Sequence, residues 1–120
     1  MALLGALLVA GALAFRPHSA AATRHVDFNR DIRPIFNRSC IGCHGGVRQL
    51  GGFSVQFREE ALKAAKSGRL PIVPGSPGKS ELVRRVMLPA GHSERMPKRG
   101  TLSAAERSHL TRPRALIRRT

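Results

Sequence analysis

Apolar positions fall into short helical stripes separated by stretches without any period. Phe28, Ile32, Ile35 and Phe36 recur at the i, i+4, i+7, i+8 spacing of one helix face, which predicts a first helix over residues 28–37. Asp27 is placed to cap it, and Pro34 to kink it or mark its last turn. Residues 59–66 are good helix formers ended by Gly68. Ser80 is placed to cap a third helix that runs to Leu88, with Leu82, Val83, Val86 and Met87 inward. Ser103, Ala104, Ala105 and Glu106 form a capping box that opens a last helix, limited by Pro113. Residues 42–52 hold five glycines and no stripe, which predicts a loop that comes close to something. The Pro and Gly density of residues 71–78 predicts an ordered, extended loop. With no alternating strand, internal repeat or low-complexity tract, the expectation is an all-α chain.

The first fifteen residues stand apart. They are apolar and uncharged, too short for a comfortable membrane span, and are ended by Arg16, Pro17 and His18. Ser19, Ala20, Ala21 and Ala22 then supply the small residues of a cleavage site. The segment reads as a signal peptide over residues 1–22, followed by one domain over residues 23–120. An uncleaved membrane anchor and a buried apolar helix are the other readings. The expected location is periplasmic or otherwise exported, with membrane association through this segment as the alternative.

Composition narrows what can fill the core. The chain has 120 residues, enough for one small domain, and only 4% are aromatic: five Phe with no Trp or Tyr. A protein-only core would be thin. A formal charge of +14 suits acidic partners and disfavours self-association through basic surfaces. Two Cys are too few to staple a secreted scaffold, so their spacing carries the information.

That spacing is Cys40-Ile41-Gly42-Cys43-His44, the attachment pattern of a c-type haem. Two thiols three positions apart on one turn can add to the two haem vinyl groups, and the adjacent imidazole is then held beneath the iron. The rivals are a thioredoxin-like pair, which needs a βαβ context, half of a zinc site, which needs a second pair that His92 and His109 are poorly spaced to give, and a plain disulfide. A sixth ligand is offered first by Met96, in a helix-free stretch where a thioether can point inward. His/Met ligation raises the potential and suits electron transfer. Met96 as a core gap-filler is the plain alternative, and His92 is the rival ligand ahead of His25 and His109. Met87, amid helical apolar neighbours, reads as core.

The sequence resembles the planctomycete-type cytochrome c domain. The likeness spans about residues 26–110 and rests on ordered motifs: Val26-Asp27-Phe28-Asn29-Arg30-Asp31-Ile32-Arg33-Pro34-Ile35, Cys40 to Gly45, Ile72-Val73-Pro74-Gly75, Lys79-Ser80-Glu81-Leu82-Val83-Arg84-Arg85 and Arg95-Met96-Pro97. The resemblance implies an all-α, class I cytochrome c fold of short helices around one covalent haem c. It implies thioether bonds at Cys40 and Cys43, His44 as proximal ligand and Met96 as distal ligand. In that family the domain usually heads a much longer secreted or membrane-associated protein. Residues 111–120 depart from the family's usual apolar, Trp-containing end, as a cut or shifted reading frame would leave them. The departure bears on the packing of the first helix against the last, and on stability more than on haem attachment.

The expected function is electron transfer through a single haem, with an acidic redox partner. A haem enzyme or gas sensor with an open distal site is the alternative, and a zinc-stabilised nucleic-acid module the weaker one. The last predicts aromatic residues interleaved with the basic ones, and the sequence has none, so no specific nucleic acid is expected. Arg84, Arg85, Arg95, Lys98 and Arg99 are candidates for haem propionates or an acidic partner, or simply form a solvated face.

Overall fold

Asp27 opens the first helical segment as expected. In the computed structural model, which describes residues 25–112, 115 and 116, the Asp27 carboxylate accepts from the Arg30 N–H at 2.8 Å, and Asp31 returns the bond by accepting from the Asp27 N–H at 2.8 Å. The segment is built in two parts. A π turn, Phe28–Ile32, closes when the Arg33 N–H reaches back to the Phe28 carbonyl, and the α-helix α1, Arg33–Ser39, follows. Pro34 therefore sits in the first turn of α1, where its missing N–H costs least, and the helix runs two residues past the expected end. The predicted face is the buried one: Ile32, Ile35 and Phe36 enter the core, while Phe28 packs edge-on against Phe36 with ring centroids 6.1 Å apart.

The second helix is shorter than its composition predicts. α2, Arg58–Ala61, stops because the chain beyond it makes other bonds: Lys66 N–H donates to the Gly51 carbonyl at 2.8 Å and Ala65 N–H to the Arg69 carbonyl at 2.9 Å. Good propensity over residues 59–66 is outweighed by these tertiary partners. At Gly52 the close approach is visible, since a Cβ there would lie 2.9 Å from the Lys66 side chain.

α3, Glu81–Met87, starts after Ser80, but not by the expected device. The Ser80 hydroxyl makes no bond to the helix; it accepts from the Val73 N–H at 2.9 Å and donates to the Ser76 carbonyl at 3.2 Å. The open N–H groups of Glu81 and Leu82 are instead met by the carbonyls of Leu70 and Pro71, at 3.1 and 3.0 Å. The Pro-rich segment is thus extended and ordered, and it supplies the cap while Ser80 fastens it. Leu82, Val83 and Val86 are buried, whereas Met87 is 54% exposed and is not the core residue its position suggested.

The last helix, α4 (Ala104–Leu110), carries the full capping box: Ser103 accepts from the Glu106 N–H at 3.2 Å and Glu106 accepts from the Ser103 N–H at 2.8 Å. α4 packs on the Phe28–Ile32 turn and on α3, so the first and last helical segments do meet. Leu110 is fully buried there, and Arg38 of α1 is ion-paired to Glu106. Ala115 is buried beside them, while Pro113 and the leader of residues 1–22 lie outside the described residues.

The architecture among the described residues is four short α-helices, one π turn and two short 3-10 turns, Leu50–Gly52 and Pro77–Lys79, without a strand. None of the helices is long and apolar enough to cross a membrane. One core joins them, drawn from Ile32, Ile35, Phe36, Ile72, Val86 and Leu110 among others. Each such side chain contributes about 1.5 to 3 kcal/mol on full burial, which for so few residues is a modest total.

Candidate functional site

Cys40 caps the end of α1, and the turn after it is tied by backbone bonds. Its own N–H donates to the Phe36 carbonyl at 3.0 Å, while Cys43 N–H and His44 N–H both donate to the Cys40 carbonyl, at 3.1 and 2.9 Å. The two thiols are therefore held on a single turn, and they are not joined as a disulfide. Burial pushes the Cys40 thiol up to about 11, against a smaller opposing pull from Arg38. A thiol held protonated in this way is not the activated thiolate of a redox pair.

His44 is oriented by the loop that follows. Its Nδ1 lies 3.0 Å from the Leu50 carbonyl oxygen. A carbonyl only accepts, so Nδ1 carries the proton and Nε2 the lone pair, the arrangement by which a metal-binding histidine is fixed. The Leu50 N–H in turn donates to the Cys43 carbonyl at 2.9 Å, and the Phe53 ring stands 5.2 Å from the imidazole at a tilt of 48°. Burial lowers the His44 pKa, the neighbouring carbonyls of Leu50 and Phe53 oppose this, and the charge of Arg85 adds to the lowering. The net lowering favours the neutral imidazole, the form that can ligate a metal. Gly45 permits the tight return of the chain, because a Cβ there would lie 2.6 Å from the Ile41 carbonyl oxygen.

Met96 comes from the other side of the molecule's chain order. It is half-buried against the core, and its N–H donates to the Arg85 carbonyl at 3.2 Å. Arg85 thus relates the two candidate ligands: its backbone fastens Met96, and its charge is felt at His44. The rivals are placed differently. His92 is exposed, with Nδ1 accepting from the Glu94 N–H at 3.1 Å; His25 is exposed at the edge of the described chain; His109 lies on α4 near Asp31. Among the described residues no group of three or more His, Cys, Asp or Glu side chains is arranged to hold a metal ion, so Cys40, Cys43 and His44 do not form a zinc-type centre by themselves.

Two features were not foreseen from sequence. The orienting carbonyl of Leu50 leaves no side-chain signal. The second is that Arg84 and Arg85, read as candidates for propionates or a partner, are instead bonded to Glu81 and Glu94. Glu81 stands three and four residues before them, a spacing that announces such pairs. A cavity of about 690 Å³ opens elsewhere, lined by Phe28, Phe36, Val55, Phe57 and Leu116, and touches the motif only at Ile41.

Two thiols on one turn beside an oriented imidazole suit covalent haem, and with the described residues helical and strand-free they point to the small all-α c-type cytochromes. A family model described as Planctomycete cytochrome C matches residues 40–100, and the chain belongs to that family. The match starts at Cys40, inside the span over which the sequence shows the resemblance, and takes in both thiols, His44 and Met96. Membership implies a covalently bound haem c. No curated protein and no solved structure matches the chain.

Proposed function

We propose that the chain carries a single haem, bound by thioethers at Cys40 and Cys43 with His44 and Met96 as axial ligands, in a class I arrangement that transfers electrons. When bound, the haem supplies a one-electron iron centre. The observation that carries the reading is the Nδ1 contact of His44 with the Leu50 carbonyl at 3.0 Å, which reserves Nε2 for a ligand. The Cys40–Cys43 turn positions both thiols, and the Met96 segment offers a half-buried thioether. We further read residues 1–22 as an export signal, which brings the thiols to where haem is attached. The redox partner is acidic, since the formal charge is +14 and Lys98 and Arg99 remain exposed.

The test is a visible spectrum and intact mass of protein exported from a host with haem-attachment machinery. The expected result is a mass raised by one haem that survives acid extraction and is lost in the Cys40→Ala, Cys43→Ala double variant. A colourless, zinc-binding product overturns the proposal.

A further inference from the structure

The basic residues of α3 make a fastening whose far end is the Met96 segment. Arg84 donates through Nε to Glu81 Oε2 at 2.8 Å and through Nη2 to Glu81 Oε1 at 2.7 Å, and the same Nη2 donates to Glu94 Oε2 at 3.0 Å. Arg85 donates through Nε to Glu81 Oε1 at 2.9 Å, and its Nη2 stands 3.5 Å from Glu94 Oε1. Arg69 reaches Glu81 Oε2 at 3.2 Å from the preceding loop. The two acids have different surroundings: the Glu81 side chain is 11% exposed and the Glu94 side chain 47%.

Geometry gives the two acids separate parts. Successive side chains on an α-helix diverge by about 100°, so two neighbouring guanidinium groups converge only if something gathers them. Glu81, one turn back on the same helix, accepts from both and does so. The gathered pair then grips Glu94, two residues before Met96 in the sequence. A backbone bond joins the same elements, Met96 N–H to the Arg85 carbonyl at 3.2 Å. The segment that carries the candidate ligand is thereby tied to α3 twice, once by side chains and once by main chain.

We propose that Glu94, held by Arg84 and Arg85 and keyed by Glu81, is a positioning residue that fixes the Met96 thioether for the iron. The inference rests on Met96 as distal ligand. Exposed pairs are individually weak and are screened by salt, so the ionic fastening adjusts the population of the bound thioether while the backbone bond sets its place. Loss of the ionic part shifts that population by about fivefold.

The experiment uses the exported haem protein. Three readouts are taken: the weak ferric charge-transfer band that a thioether on iron gives at the red end of the spectrum, the rate of carbon monoxide binding to the reduced protein, and the thermal melt. Glu94→Gln is expected to weaken the band and raise the carbon monoxide rate about fivefold with little change in the melt. Glu81→Gln is expected to do the same with a lowered melt, because α3 and the Arg69 loop also lose a partner. High salt moves the wild type towards the Glu94→Gln behaviour and leaves Glu94→Gln itself unmoved, and Lys63→Gln, outside the cluster, behaves as wild type. If Glu81→Gln does not fold, Glu94→Gln and the salt series decide. A wild-type band that is identical in Glu94→Gln and indifferent to salt overturns the inference and leaves the ligand reading intact. A wild type without the band overturns the ligand reading, and this inference with it.

Discussion

The imidazole of His44 is held by the carbonyl oxygen of Leu50, 3.0 Å from Nδ1, in a loop whose regular structure is an isolated antiparallel bridge between His44 and Gln49 and the short turn Leu50–Gly52. The orientation of the proposed proximal ligand therefore depends on main chain six residues away, and no single side-chain replacement at position 50 removes the acceptor.

The two methionines of the α3 region are expected to respond in opposite ways. Met96→Ala removes the thioether that the proposed ligation needs, so the ferric charge-transfer band disappears, the potential falls and the reduced protein binds carbon monoxide. Met87, 54% exposed, leaves the band in place, and Met87→Ala changes stability by no more than about 0.5 kcal/mol. Spectra and melts of the two variants side by side check both statements. If Met96→Ala has an unchanged band, the thioether on iron is another methionine, and Met87→Ala is then expected to remove it; a wild type without the band passes the ligand role to an imidazole, with His92 next to be replaced.

Without haem the chain is expected to lose most of its helix. Among the described residues the buried hydrophobic side chains are few, they include a single aromatic, Phe36, and the longest α-helices have seven residues, short for helices that must stand on propensity alone. Far-UV circular dichroism of the Cys40→Ala, Cys43→Ala variant is the measurement. Native helicity in that protein would show that its side chains suffice to hold the fold.

Acid weakens the fold over a window set by Glu81. The Arg84 hydrogen bonds, followed by those of Arg85 and Arg69, hold its carboxyl at about 2 against an ordinary 4.5. A carboxyl lowered in the folded state stabilises fully above its unfolded pKa, and that contribution is lost as pH falls from 4.5 towards 2, because the unfolded chain binds the proton first. Thermal melts between these limits should fall steeply in the wild type. In Glu81→Gln they start lower and fall less steeply, and equal slopes would refute the assignment.

The two serines that precede α3 and α4 stabilise by different routes. Ser103→Ala removes a hydroxyl cap from α4 and costs about 1 kcal/mol. Ser80→Ala costs about 1 to 3 kcal/mol, because the hydroxyl lost is 2% exposed at the residue level and serves the Val73 N–H and the Ser76 carbonyl. Hydrogen exchange separates them: the Val73 amide loses protection only in Ser80→Ala, and the Glu106 amide only in Ser103→Ala.

Sequence patterning found the apolar face of the first helix and the Ser103–Glu106 box because both depend on local spacing. It misjudged the elements whose partners are distant. Residues 59–66 have helical composition, but Gly51 and Arg69 supply carbonyls that draw Ala65 and Lys66 out of the helix. Ser80 has the right identity and position for a cap, yet the Leu70 and Pro71 carbonyls reach the helix start first. Met87 shares a helix with buried neighbours, but seven residues are too short a run for periodicity to say where the stripe ends. At the site, Cys40, Cys43 and His44 were legible because their meaning lies in adjacency. Met96 is proposed from its place in a helix-free stretch and from the family resemblance, and the Leu50 carbonyl could not be found because every residue has one.

The burial of Leu110 against the Phe28–Ile32 turn and α3 has a consequence in time. A chain that emerges from its N-terminus presents Cys40, Cys43 and His44 long before α4 arrives to close the core around α1. During that interval the Cys40 thiol has none of the packing that later drives its acidity down, so it is at its most reactive while the domain is still incomplete. Order of emergence thus presents the turn for covalent modification first, and the fold that the haem completes closes over it afterwards.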